Sequence, residues 1–372
     1  MLLFIIYIIL LIYLIYFIWL IEPFFKKNII VSKEKNYPFV SIIVSARNEE
    51  ENINQLINSL LSQDYKKNFY EIIIANDKST DSTLKKLDHF KENYSQLNII
   101  DIKNTPDNWG SKKWALTQCI KKSKGEIIVQ TDADCMHTKD WLSSMVNPFI
   151  YNHKIGFICG ASYIGINSNF WDEMLKLESL SQESFTYANS KRNFYLSSTA
   201  RNIAFRKNIF NEVEGYKGIE YIESGDDDLL LHKIKTQTDA KIKFLANQKI
   251  LVKSHAPKSI RSFYLQRLRY ASKSILYYRL STPIEVKIIL PYLFIANLAC
   301  IISILNFINY QNILWMMPLF MKGIADIILI NQYMYKLNMN FKLFYFLILM
   351  ILHPFYVVII GGLAPIIKVQ WK

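Results

Sequence analysis

Residues 126–134 read Glu126-Ile127-Ile128-Val129-Gln130-Thr131-Asp132-Ala133-Asp134, an apolar, β-branched run that ends on two carboxylates one residue apart. The run predicts a buried strand. Two acids at its C-terminal tip repel each other. A hard divalent cation bridging to a diphosphate makes such a pair useful, because Mg²⁺ or Mn²⁺ prefers oxygen and takes one or two carboxylates plus substrate phosphates. A D-x-D alone also occurs in ordinary acidic turns, so its weight depends on its neighbours.

Upstream, strand and helix signals alternate. Phe39–Ser45 (FVSIIVS) is short, apolar and β-branched, a second buried strand. Asn48 then precedes Glu49, Glu50 and Glu51, which suits a helix N-terminus. Ile53, Leu56, Ile57, Leu60 and Leu61 follow at the spacing of an amphipathic helix. Glu71–Ala75 reads as a strand, Asp77–Asp81 as a polar turn, Ser82–Asn93 as a helix, Leu97–Ile102 as a strand and Ser111–Lys122 as a helix. The alternation predicts an α/β domain, a mostly parallel sheet with helices on both faces. Ligands of such sheets bind beyond the C-terminal strand ends, where Ser45, Asp77, Asp132 and Asp134 converge. No G-x-G-x-x-G follows the first strand and no P-loop lysine motif is present, which argues against dinucleotide and P-loop folds.

The 372 residues are 51% hydrophobic and 14% aromatic, with the apolar residues gathered at the two ends. Leu2–Ile21 carries no charge, Gly or Pro and is long enough to span a bilayer. It has no basic n-region, and it reads as a retained anchor. Further apolar stretches lie at about 288–307, 313–330 and 344–367. The expected organisation is a transmembrane anchor over 1–24, a catalytic domain over 35–256, a basic interfacial segment over 257–283 and a C-terminal membrane region of about three spans over 284–372. Pro354, Gly361, Gly362 and Pro365 would allow the last stretch to break into a re-entrant segment. Lys322 and Asp326, four apart in a span, predict an ion pair facing other helices.

The net charge of +13 suits an anionic membrane face better than nucleic acid. Lys26, Lys27, Lys33 and Lys35 follow the first span; Lys253, Lys258, Arg261, Arg267, Arg269 and Lys273 precede the second. By the positive-inside rule the domain between them is cytosolic, at a bacterial-type inner membrane, although Lys368 and Lys372 also prefer that side. Arg261 and Lys273 are expected to hold lipid headgroups. The four cysteines and six histidines show no metal spacing, which suits a reducing cytosol and argues against a zinc centre.

The ordered set VSIIVSARNEEENI (40–53), IIIANDKSTDST (72–83), GSKKWAL (110–116), TDAD (131–134), SGDDDLLLH (224–232) and QRLRY (266–270) closely resembles the membrane-bound, family-2 inverting glycosyltransferases, whose catalytic domain has the GT-A nucleotide-sugar-binding fold. The resemblance covers about Phe39 to Ser274. It implies that Ser45, Ala46, Asn48 and Glu49 belong to the loop holding the nucleobase and ribose. Asp77 would bond a uracil, with Asn76 where a second acid often stands. It implies Lys112 beside the diphosphate, and Asp132 and Asp134 at the nucleotide and an Mg²⁺ or Mn²⁺ ion. Asp226 matches the catalytic base, with Gly225 in place of the preceding glutamate; a register shift of one would make Asp227 the base. Gln266 and Arg269 match a Q-x-x-R-W motif in which Tyr270 replaces tryptophan. Residues 199–206 lie where the family places an acceptor-side segment.

The chemistry is consistent with these roles. Displacing a diphosphate with inversion needs a carboxylate to take the acceptor proton and positive charge on the leaving group. Adjacent acids at Asp226–Asp228 predict a raised pKa in one of them, and the following leucines make a helix cap the competing role. The reading is a membrane-anchored, metal-dependent glycosyltransferase moving a sugar from a UDP-sugar to a membrane lipid or lipid-linked glycan. The rivals are a processive polysaccharide synthase and a non-catalytic, nucleotide-binding membrane scaffold.

Overall fold

The computed structural model describes residues 1–25, 37–364 and 366–367. Lys26, Lys27, Lys33, Lys35, Lys368, Lys372 and Pro365, which entered the topology reading, lie outside the described residues. The described residues form two compact units, one built on a sheet (37–166 and 197–255) and one helical (1–25, 167–196 and 256–364).

Helix α1 (Leu2–Ile21) opens the chain and belongs to the helical unit. In the sheet unit, β1 (Val40–Ala46), α2 (Ile53–Leu61), β2 (Tyr70–Asp77), α3 (Thr83–Asn93), β3 (Leu97–Ile102), α4 (Ser111–Lys122) and β4 (Ile127–Asp132) realise the predicted alternation. These four strands pair in parallel, in the order β3-β2-β1-β4. Both faces of β1 and β2 are covered, which is why they read as unbroken apolar runs. The α2 stripe Ile53, Leu56, Ile57 and Leu60 enters the same core as Ile42, Val44, Ile72, Ile74 and Val129.

Beyond β4 come β5 (Cys135–Met136), α5 (Trp141–Tyr151), β6 (Ile155–Gly160), β7 (Ser162–Ile164), β8 (Ile203–Arg206), α7 (Lys207–Glu212), α8 (Asp228–Gln237), β9 (Lys241–Leu245) and β10 (Val252–Ser254). The seven-stranded sheet continues β4-β8-β6-β9, with β8 antiparallel to both neighbours, and β5-β10-β7 form a second small sheet.

The helical unit contains α1, α6 (Phe170–Ser190), α9 (Ile260–Ala271), α10 (Leu276–Arg279), α11 (Ile284–Tyr310), α12 (Met317–Lys336) and α13 (Leu343–Leu363). Among the described residues four helices, built on α1, α11, α12 and α13, are long and apolar enough to cross a membrane, and they make the chain a membrane-associated one. Three expectations are corrected. The block 35–256 is not one continuous domain, because residues 167–196 leave it and α6 packs with α12 and α13. The last stretch is not broken: α13 runs through Pro354 and includes Gly361 and Gly362, since its backbone bonds close within the helix. Of the basic segment, Arg261 is exposed, but Arg267 and Lys273 are buried and Arg267 pairs with Glu178, so neither buried cation is a headgroup contact. The predicted ion pair is present, with Lys322 Nζ at 2.6 Å from Asp326.

Candidate active site

Strand register brings the first candidate residues together. Ser45 lies opposite Ala75 on one side and Asp132 on the other, and Ala46 is opposite Asn76. The ends of β1, β2 and β4 therefore form one edge. The loop after β1 is stitched to the loop after β2. Asn48, at φ 55°, donates its backbone N–H to Ser79 Oγ and accepts from the Thr80 N–H through Oδ1. Glu50 and Asp81 exchange similar bonds with backbone N–H groups across the same gap. Glu49 accepts from the Asn52 amide and gives its own N–H to Thr83.

Asp77 is fully buried and accepts from Ser111 Oγ at 2.6 Å. Among the described residues its Oδ1 has no hydrogen-bond donor, although Lys78 Nζ lies 3.5 Å away, and the neighbouring Asn76 Oδ1 has none either. Two buried acceptors without donors at the tip of β2 mark a place where polar chemistry is left open.

The centre of the unit is Lys112, from the first turn of α4. Its Nζ lies 2.8 Å from Asp132 Oδ1 and 3.0 Å from Asp226 Oδ2. Burial disfavours its charge, but Asp132 and then Asp226 outweigh that and hold Lys112 above the ordinary lysine range. Asp226 is the mirror case. Burial would raise it, and Lys112 outweighs burial and holds it below the usual carboxylate range. The raised pKa expected from three adjacent acids is therefore not found at Asp226, because a cation sits closer to it than repulsion alone would allow. Gln130 Nε2 also donates to Asp226 Oδ2 at 2.8 Å.

Asp227 does something else. It is the N-cap of α8, accepting the Asp228 N–H at 2.7 Å, and its second oxygen accepts the Ala200 N–H at 2.8 Å. The capping role foreseen for one of the three acids thus falls on Asp227. Gly225 has φ +87°, and a Cβ there would lie 2.6 Å from the Leu229 side chain. The glycine that replaces the expected glutamate is what lets the chain turn into the acids.

Asp134 follows β4. It accepts from Ser254 Oγ at 3.1 Å, and burial together with the nearby Asp132 carboxylate pushes it above the usual range. The donor set fits a hard divalent cation: two neighbouring carboxylates at the tip of one strand, offering the oxygen ligands that Mg²⁺ or Mn²⁺ prefers. Among the described residues no group of three or more His, Cys, Asp or Glu is placed to hold a metal, so substrate oxygens would complete the coordination. His137 is not part of such a set. Burial pushes its imidazole down to about 3, and it bridges Thr131 Oγ1 and Ser59 Oγ. His255 contacts Gln55, and Trp141 is a core residue bonded to Asn202.

Gln266 and Arg269 lie on α9, in the helical unit. The segment 199–206 contributes β8, and its Arg201 carbonyl accepts from Thr131. Sequence reasoning missed Lys113, whose buried Nζ donates to the carbonyls of Ile219, Ile222 and Ser224 at 2.6–2.8 Å. With the Gly110 N–H bonded to the Glu220 carbonyl, it ties the start of α4 to the strand of chain that leads into Asp226. A signal existed: two adjacent lysines at a helix N-terminus oppose the helix dipole and need a specific anion or carbonyl partner each. Gln130, inside a strand, gave no comparable sign.

This arrangement has relatives among known proteins. Residues 41–214 match the model of glycosyl transferase family 2. The chain carries a family 2 glycosyltransferase domain. A beta-monoglucosyldiacylglycerol synthase of Nostoc sp. is 35% identical over 135 residues, 36% of this chain and 28% of that protein. A dolichyl N-acetyl-alpha-D-glucosaminyl phosphate 3-beta-D-2,3-diacetamido-2,3-dideoxy-beta-D-glucuronosyltransferase of Methanococcus voltae is 25% identical over 241 residues, 63% of this chain and 72% of that one. The alignment thus spans less than a third of the Nostoc relative. A mannosyltransferase of Pyrobaculum calidifontis, solved with GDP-Man and Mn²⁺, superposes with a TM-score of 0.58 at 17% identity, covering 97% of this chain and 95% of the other. That likeness establishes the GT-A fold for the family 2 domain.

Proposed function

We propose that the protein transfers a sugar, with inversion, from a nucleotide-sugar of the UDP class to a membrane lipid or lipid-linked glycan, with the family 2 domain on the cytosolic side. The observation that carries the reading is the bridge made by Lys112, which joins the first acid of the D-x-D to Asp226. One group at the strand tip and one at the start of α8 are thereby held within reach of a single ligand.

In this reading the crevice at β1 and β2 takes the nucleoside. The unpartnered oxygens of Asp77 and Asn76 face the donors of a base, and the loop of Ala46, Asn48 and Glu49 frames the ribose. Asp132 and Asp134 would hold Mg²⁺ or Mn²⁺, which when bound neutralises charge on the departing diphosphate. Lys112 adds a fixed positive charge at the same end. Asp226 takes the proton of the acceptor hydroxyl. Both of its hydrogen bonds from Lys112 and Gln130 land on Oδ2, which leaves Oδ1 for that proton. A carboxylate held ionised at neutral pH is ready as a base without waiting to lose a proton, though its low pKa limits the driving force for transfer. Gln266 and Arg269 are matched only by the resemblance to the Q-x-x-R-W motif, and Arg269→Ala is expected to lower turnover more than donor affinity. The lipid acceptor is supported by the apolar helices and by relatives named for a glucosyldiacylglycerol and a dolichyl-linked sugar.

The test is a donor screen with full-length protein, Mn²⁺, a panel of nucleotide-sugars and native lipid extract. A UDP-sugar is expected to be consumed with formation of one glycosylated lipid of opposite anomeric configuration. A long polymer would instead establish the processive reading, and nucleotide binding without hydrolysis or transfer would establish the scaffold.

A further inference from the structure

The helical unit contains a cavity of about 700 Å³, within the range of about 300–1,000 Å³ of sites that hold small ligands. Its walls are mainly apolar, with Phe17, Val286, Leu290, Leu293, Phe294 and Ile330 among them. Tyr270, Ser274, Tyr277 and Tyr278, from α9, α10 and the turn between them, also line it, and Tyr270 and Tyr278 are exposed. The cavity therefore opens at an amphipathic rim of hydroxyl groups. Tyrosines of this kind, apolar in body and polar at the tip, suit a membrane boundary.

Two further lining residues are buried and carry an unsatisfied polar atom. Asn297, within α11, gives its amide N–H to the Leu293 carbonyl, but among the described residues its Oδ1 has no donor. Arg267, on α9, gives one terminal N–H to Glu178, and among the described residues its Nε has no acceptor. They are 3% and 4% exposed. Buried polar atoms left in this state are rare and costly, and here one is an acceptor and the other a donor. An occupant that satisfies both must bring one O–H or N–H and one bare oxygen.

Charge narrows the class. The guanidinium of Arg267 is balanced by Glu178, and the ammonium of Lys322 by Asp326, which also accepts from Tyr13 at 2.6 Å. The remaining polar lining residues, including Ser181, Gln182, Ser274 and His353, bear no carboxylate or permanent cation. An anionic headgroup would satisfy Arg267 Nε, yet its charge would go uncompensated, because Glu178 already balances the guanidinium. A hydrocarbon alone would satisfy neither atom. We infer that this cavity is a binding site for one uncharged glycerolipid that carries a free hydroxyl and ester oxygens, a lipid of the diacylglycerol class. The site lies wholly within the helical unit and does not depend on the sugar-transfer reading.

The test is native mass spectrometry of the detergent-purified full chain with three lipids of identical acyl chains: diacylglycerol, its methyl ether, in which a methyl group replaces the hydroxyl hydrogen, and phosphatidic acid, in which that hydroxyl is phosphorylated. Diacylglycerol is expected to bind one per chain and at least tenfold more tightly than either of the others. Asn297→Leu is expected to erase the preference for diacylglycerol over the methyl ether. Ala271→Trp, which fills the lining, is expected to weaken all glycerolipid binding about tenfold. Equal or tighter binding of phosphatidic acid overturns the inference. So does equal binding of the methyl ether by the unaltered protein, or the absence of stoichiometric lipid on a monodisperse preparation. Asn297→Leu exchanges one buried side chain for another of similar size, so a folding failure of Ala271→Trp leaves the test intact.

Discussion

Each unit holds a lysine pressed against aspartate, and the two do different work. In the helical unit Lys322 has one carboxylate, Asp326, and the pair closes on itself with a tyrosine hydroxyl completing it. In the sheet unit Lys112 has two, Asp132 and Asp226, supplied by chain segments about a hundred residues apart. The first pair is saturated. The second shares one ammonium between two carboxylates, at the edge where strands end. A buried ion pair is weak evidence for stability, because desolvation offsets most of its attraction. What the comparison teaches is that the uneven cluster, not the balanced one, is arranged to receive something.

The largest expected effect follows from that imbalance. Asp226→Asn keeps the volume and the Gln130 contact but removes the carboxylate proposed as the base. Turnover is expected to fall by about 10²–10⁴-fold, the usual contribution of general base catalysis, with UDP affinity within a few-fold of the original by calorimetry. A fully active Asp226→Asn enzyme would place the proton acceptor elsewhere.

Lys112→Met sharpens the same contrast through pH. In the native protein Lys112 holds Asp226 below its unfolded value of about 3.9. The stability this contributes is present above that value and is lost as pH falls through the lower, folded one. Without the lysine, burial dominates and the carboxyl is raised instead. The acid limb of the turnover profile is then expected to move to higher pH. Thermal stability at neutral pH should drop by about 3–5 kcal/mol, the cost of orphaning a buried charge. The sign of the pH dependence should also invert, with acidification now relieving the variant. An acid limb that stays where it was would show that Lys112 does not set the charge of Asp226.

The balanced pair is expected to behave as a closed unit. Lys322→Met alone leaves Asp326 uncompensated and should destabilise the helical unit by about 3–5 kcal/mol, whereas Lys322→Met with Asp326→Leu should come back to near neutrality. Unfolding followed in detergent measures both. A double variant as unstable as the single would mean that Asp326 has a partner or role beyond this pair and Tyr13.

How much of this was legible in the sequence divides along similar lines. The alternation from Val40 to Asp132 was readable because parallel strands buried on both faces give unbroken apolar runs, and their helices give clean stripes such as Ile53, Leu56, Ile57 and Leu60. Strand β8 was not readable as an antiparallel insertion. Four residues, Ile203–Arg206, carry no information about direction, which is set by pairing with β4 and β6. The place of α6 in the helical unit was not readable, because Leu175, Leu177 and Leu180 would suit either core and only tertiary packing decides. Within the site, the acids were visible by type and spacing. The bridge by Lys112 and the clamp of Lys113 on residues 219–224 depend on segments far apart in sequence, so no local pattern could give them.

The smallest effect separates neighbours. Asp226 and Asp227 are adjacent, chemically identical and interchangeable by register alone, yet one meets a lysine and a glutamine while the other meets two backbone N–H groups. A carboxylate whose oxygens accept from the Asp228 and Ala200 N–H groups is occupied in holding the start of α8 and the segment before β8. Asp227→Asn retains an oxygen able to cap, and asparagine ranks with aspartate at that position. It should therefore cost only a few tenths of a kcal/mol, while Asp227→Ala should cost about 1 kcal/mol. Turnover of Asp227→Asn is expected to stay within about tenfold of the original, far above the loss at Asp226, where no oxygen of an amide can take a proton in the same way. Steady-state kinetics on the two asparagine variants, side by side with their unfolding temperatures, measures the difference. If Asp227→Asn is the inactive one and Asp226→Asn turns over, the roles are exchanged, and the capping bonds seen at Asp227 must open during each cycle.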